Sequence, residues 1–125
     1  MKPIAALVIS LLAASISASP VIPTVTVAFA NDQSGAQGSA AVPADGSQQS
    51  ISSLYGSTPI GASGAVVASS AQLTSFQANT NCVVTNSKSA VVGTLTADHT
   101  YLDLDGNPAA AVPLNLGGWT ISCTV

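Results

Sequence analysis

Trp119-Thr120-Ile121-Ser122-Cys123-Thr124-Val125 alternates apolar and hydroxyl-bearing side chains without a break. A period of two marks a half-buried strand, because successive side chains leave a strand on opposite faces. The rhythm returns near the other end, where Val25, Val27 and Phe29 alternate with Thr24, Thr26 and Ala28. Phe29, Trp119 and Cys123 all fall in the apolar phase and are expected to point inward. Between these ends lie runs rich in Val, Thr or Leu at 81–85, 91–97, 100–104 and 109–116. Asn31-Asp32, Asn86-Ser87, Asp105-Gly106-Asn107-Pro108 and Gly117-Gly118 punctuate them as turns. Short strands with regular breaks predict a mainly β chain, an antiparallel β-sandwich or small barrel. Pro113 has no N–H for a ladder, so its run reads as an edge or bulged stretch.

One segment argues for helix. Asp45, with Gln48 three residues on, forms a candidate capping box, and Ile51, Leu54 and Tyr55 then share one helical face. Gly56 is the expected stop. The spacing predicts a single short helix of about two turns packed on the sheet. Residues 30–44 and 56–64, rich in Gly, Ala, Ser and Pro, read as loops.

The chain has 125 residues, enough for one domain. Charged residues are 6% of it, against about 25% in an average soluble protein. They are Lys2, Lys88 and five aspartates, with no Arg and no Glu. Such a chain cannot displace counterions from phosphates, so nucleic acid is excluded as a partner. Polybasic membrane docking and Arg-clamp sites fall with it. A hydrophobic content of 47% separates it from disordered chains.

Met1-Lys2 carries a positive charge ahead of an apolar stretch that ends in small residues. That pattern predicts a secretory signal peptide over 1–18, leaving a single β domain over 19–125, secreted and extracellular, with no membrane contact after cleavage. A cut after Ala30 fits the small-residue rule better but removes a well-patterned strand. Cys82 and Cys123 are the two cysteines, an even number in an exported chain, so a structural disulfide is expected. Closing the loop 82–123 is worth about 4 kcal/mol in chain entropy.

Asp98-His99, Tyr101, Asp103 and Asp105 gather the titratable groups within a short span. Asp103-Leu104-Asp105-Gly106-Asn107 matches the first, third and fifth ligands of an EF-hand loop. Pro108 then stands where that loop needs Gly, and Leu114 where it needs a bidentate carboxylate, which excludes an EF-hand. A looser calcium site can use Asp103 and Asp105, which a strand places on one face. The competing and preferred reading is a β-hairpin turned at Asp105-Gly106, with Gly106 at positive φ. Asp32 in Asn31-Asp32-Gln33-Ser34-Gly35 poses the same choice between turn stabilisation and calcium ligation, and the turn again leads.

His99, the one histidine, is the candidate centre of a small hydrolase. No Gly-x-Ser-x-Gly elbow accompanies it, and on a strand Asp98 and His99 would face opposite ways. The expectation is therefore a non-catalytic protein with no cofactor. With 1–18 removed, five Asp face Lys88 alone, so binding is expected to depend little on salt.

Val25-Thr26-Val27-Ala28-Phe29-Ala30-Asn31-Asp32-Gln33-Ser34-Gly35, Ala68-Ser69-Ser70-Ala71-Gln72-Leu73-Thr74 and Thr100-Tyr101-Leu102-Asp103-Leu104-Asp105-Gly106-Asn107 resemble small secreted proteins of filamentous fungi. The resemblance implies an effector-like or wall-associated interaction role, with an extracellular protein or cell-wall component as partner. It carries over no functional residue. Hydrophobins and cerato-platanin-like proteins have more cysteines, so the chain belongs to neither. The sequence thus supports three readings in order: a secreted interaction protein, a small carbohydrate- or calcium-binding β module using Asp103, Asp105 or Asp32, and a hydrolase centred on His99.

Overall fold

The computed structural model describes residues 22–106 and 109–125; the expected signal peptide over 1–18 and the dipeptide Asn107-Pro108 lie outside them. Strands run β1 Thr24–Asn31, β2 Ala36–Pro43, β3 Asp45–Ser50, β4 Val67–Ala68, β5 Ser70–Ser75, β6 Asn81–Thr85, β7 Val91–Thr96, β8 Tyr101–Asp103, β9 Leu114–Asn115 and β10 Thr120–Thr124. Helix α1, Ile51–Tyr55, and a 3₁₀ turn at Pro59–Gly61 follow β3. One antiparallel sheet has the order β2-β1-β5-β8, the other β3-β10-β6-β7, and β4-β9 form a small third pair. The expected β-sandwich forms, with a barrel-like feature at both flanks. At one, β2 passes through buried Ala44 into β3; at the other, β7 turns through residues 97–100 into β8. The chain comes so close at the second flank that a Cβ on Gly93 would collide with Leu102 Cδ1.

The apolar phases meet between the sheets. Val25, Val27 and Phe29 from β1, Leu73 from β5, Val84 and Leu95 from β6 and β7, and Trp119 and Ile121 around β10 are all buried. Cys82 and Cys123 face each other across the β6–β10 ladder and form the disulfide, both fully buried. α1 lays Ile51 and Tyr55 on this core. The Tyr55 ring meets Phe29 edge-on at 4.8 Å, and its hydroxyl donates to the Val27 carbonyl at 2.8 Å. That contact falls where the β1–β5 register shifts between Thr26 and Val27, so the phenol reinforces the one irregular point of β1's pairing with β5.

Several local expectations are corrected. Asp45 and Gln48 do not cap the helix: they belong to β3, where pairing with β10 outweighs the local helix signal. Asp45 instead accepts from the Ser47 N–H at 3.0 Å and its hydroxyl at 2.6 Å. The N-cap is Ser50, whose oxygen accepts from Ser53 N–H at 3.3 Å, and the helix is shorter than expected. Gly56 ends it without adopting a left-handed conformation, its φ being −61°. Residues 36–43, read as loop, are β2; small side chains there hide a strand that β1 templates by pairing along its whole length. Likewise β4 and β5 arise in a stretch whose Ala and Ser content masks the alternation. The run 109–116 keeps only Leu114–Asn115 as strand, with Pro113 just outside it. Asp105-Gly106 does not turn a hairpin, because β8 pairs with β5 whereas β9 pairs with β4. Gly106 does take the expected positive φ, +68°. Asp98 and His99 lie in the turn after β7, not on a strand.

Candidate functional site

A cavity of about 330 Å³ opens at the β8 edge of the first sheet, lined by Asp32, Ser69, Tyr101, Asp103, Asp105 and Ala109 to Ala111. Its residues come from segments far apart in sequence, and pairing geometry explains why they meet. Asp32 begins the turn after β1, in which Asn31 Oδ1 accepts from Gln33 and Ser34 N–H groups, both at 3.1 Å. Tyr101 and Asp103 lie two apart on β8 and so share a face. Ser70 stands opposite both Ala30 and Asp103, which brings the end of β1 and the end of β8 to either side of one strand.

Ser69, fully buried between β4 and β5, joins the two sides. Its N–H donates to Ala30 O at 2.8 Å, and its carbonyl accepts from Leu104 N–H at 2.9 Å. Its hydroxyl donates to Asp32 Oδ2 at 2.7 Å and accepts from Asp32 N–H at 3.0 Å. Asp32 is therefore held by a contact that spans 37 positions, which local sequence reading misses. Asp105 Oδ2 accepts from Val112 N–H at 2.6 Å, which ties the segment after Asn107-Pro108 back against the cavity.

Asp103 and Asp105 interact directly. A side-chain hydrogen bond from Asp105 is the main cause that raises the Asp103 pKa above its ordinary 3.8, with burial and the repulsion of Asp105 next and a smaller repulsion from Asp32. Asp103 therefore holds its proton more tightly than a free aspartate does. The three aspartates line one cavity, yet among the described residues no three His, Cys, Asp or Glu side chains group closely enough to hold one metal ion. The cavity therefore presents a set of hydrogen-bond acceptors. Tyr101, 58% exposed, offers a free ring face beside these oxygens. Exposed His99 does not line the cavity.

The structure thus brings together Asp32, Asp103, Asp105 and Tyr101 and leaves His99 apart. Among the described residues no helix is long and apolar enough to cross a membrane. Comparisons with protein-family models, with curated proteins and with solved structures find no match.

Proposed function

We propose that the chain is an exported, non-catalytic interaction protein, effector-like or wall-associated in the manner of small fungal secreted proteins, and that it binds carbohydrate at the Asp32–Tyr101–Asp103–Asp105 cavity. The observation that carries this reading is the convergence of an exposed aromatic ring with three carboxyl side chains in one open cavity. A sugar ring has an apolar face that stacks on an aromatic side chain and hydroxyls that donate to fixed acceptors, which is the complement of such a lining. The disulfide and the apolar leader support an oxidising, extracellular setting. The low charge of the chain supports recognition through neutral contacts and a few oriented acceptors.

Calorimetric titration with a panel of soluble polysaccharides, and separately with calcium, tests the proposal. Heat is expected with at least one glycan, unchanged in His99→Ala and weakened about tenfold or more, about 1.4 kcal/mol, in Tyr101→Ala. Absence of heat and of any melting shift across the panel removes the carbohydrate reading. A response to calcium alone replaces sugar with the cation. Loss of binding in correctly folded His99→Ala moves the function to the histidine.

A further inference from the structure

We infer that the outward face of the sheet β3-β10-β6-β7 carries a second site, for an uncharged, linear glycan. A groove of about 410 Å³ lies there, lined by Val83 and Thr85 of β6, Val91 of β7, Thr120 and Ser122 of β10, and Gln48 of β3, with turn residues closing one end. The registers show how it forms. Gln48, Ser122 and Val83 stand side by side across three strands, and Thr120, Thr85 and Val91 make the next row. Neighbours across the strands lie about 4.8 Å apart and successive rows about 6.8 Å apart. The result is a grid of hydroxyl and amide groups interleaved with two valines.

The end wall is rigid. Asn86 Oδ1 accepts from Lys88 N–H at 2.9 Å and Ala90 N–H at 3.1 Å, which fixes the β6–β7 turn. Gly118, with φ +80°, packs so closely on this turn that a Cβ there would sit 3.0 Å from Ser87 Cβ. A side chain at position 118 would push the two turns apart and open that end.

The lining selects the ligand class. Every residue that lines the groove is uncharged, whereas Asp32, Asp103 and Asp105 belong to the other cavity. Phosphates and acidic sugars find no countercharge on the strand residues of the lining, and the nearest cation is Lys88 in the end turn, whose reach the anionic probe below tests. Ser122 Oγ already donates to Gly46 O at 2.9 Å, but a lipid tail would strand the Gln48 amide and the Thr85 and Thr120 hydroxyls. An added β-strand needs a sheet edge, and this groove runs over a face. A chain of neutral sugars presents hydroxyls for Gln48, Thr85, Thr120 and Ser122, and C–H faces for Val83 and Val91. The site is independent of the cavity proposed above, and neither reading requires the other.

Amide chemical shifts of the ¹⁵N-labelled protein test it, with the hexasaccharides of cellulose, laminarin and chitin as neutral probes and oligogalacturonate as the anionic one. Shifts are expected at Val83, Thr85, Ser87, Thr120 and Ser122 with a neutral hexasaccharide, and they persist in about 1 M NaCl, where the screening length is about 3 Å. Val91→Lys is the blocking variant. Val91 is 64% exposed, so the fold tolerates the change, and affinity is expected to fall about tenfold at an unchanged melting temperature. Tyr101→Ala leaves these shifts intact, which separates this site from the other. The inference is overturned if no neutral hexasaccharide moves the groove amides, if only oligogalacturonate does, or if Val91→Lys binds as the parent does.

Discussion

Tyr55→Phe removes one oxygen from the interior and leaves the ring in place. The phenol is fully buried, its hydroxyl donates to Val27 O at 2.8 Å, and its ring edge rests on Phe29 at 4.8 Å with an interplanar angle of 74°. Deleting the donor leaves a buried carbonyl short of a partner, at a cost of about 1–3 kcal/mol. In a domain of this size that lowers the melting temperature by about 4–8 °C per kcal/mol. Tyr55→Leu should lose more, because the aromatic pair contributes about 0.5–1.5 kcal/mol beyond its area. Urea unfolding followed by the fluorescence of Trp119, the one tryptophan, measures both variants, with an unchanged m-value as the condition for comparison. A second signature comes from pH. Burial raises the Tyr55 pKa above its ordinary 10.0, so the folded state holds the phenolic proton more tightly than the unfolded chain. That contribution is complete below pH 10.0 and lost as pH rises toward the folded value, and Tyr55→Phe lacks the decline. A midpoint for Tyr55→Phe equal to the parent's would refute the reasoning, since the hydroxyl would then contribute nothing to the β1 irregularity.

Cys82→Ala/Cys123→Ala should lose about 4 kcal/mol, the loop-closure entropy, and lower the urea midpoint accordingly; a midpoint near the parent's would mean that the unfolded chain is already compact. Carboxyl carbon shifts should place Asp45 below 3.8, because Ser47 donates to it, and Asp103 above 3.8, because Asp105 hydrogen-bonds and repels it. The Asp45 contribution to stability is present above 3.8 and fades as pH falls through its folded value, while that of Asp103 is present below 3.8 and fades as pH rises through its own. The reverse order in the titration would contradict the surroundings of both carboxyls.

The elements legible in the sequence are those where side-chain alternation sets the face. β1 and β10 follow their apolar phases, Phe29 and Trp119 are buried, and the two cysteines meet as expected. β2 was hidden because its inward positions include Gly38, a residue that carries no pattern, and its existence follows from pairing with β1. The stretch 45–48 misleads for the same reason in reverse: local cap chemistry points one way and the neighbouring strand β10 another. Of the cavity residues, Asp32, Asp103 and Asp105 stood out individually, as acids in a chain with few charges. Their meeting did not, because it depends on the order β1-β5-β8 and on buried Ser69, whose partners are remote. The outward grid on the second sheet was invisible for a simpler reason: serine, threonine and valine signal a strand, and only the register between strands makes them a surface.

β4, β9 and β8 are the shortest of the described strands, at two, two and three residues, and the Tyr101 cavity sits beside β8. So few ladder bonds hold less firmly than the longer β6–β10 ladder that carries the disulfide. A guest that spans Asp32 on one wall and Asp103 on the other acts as a rivet across that seam. At a concentration one hundred times its dissociation constant it would add about 2.7 kcal/mol to the folded form. If the proposed site is filled, endurance and occupancy are linked in one molecule, which would be toughest where the ligand is plentiful and easiest to dismantle where it is absent.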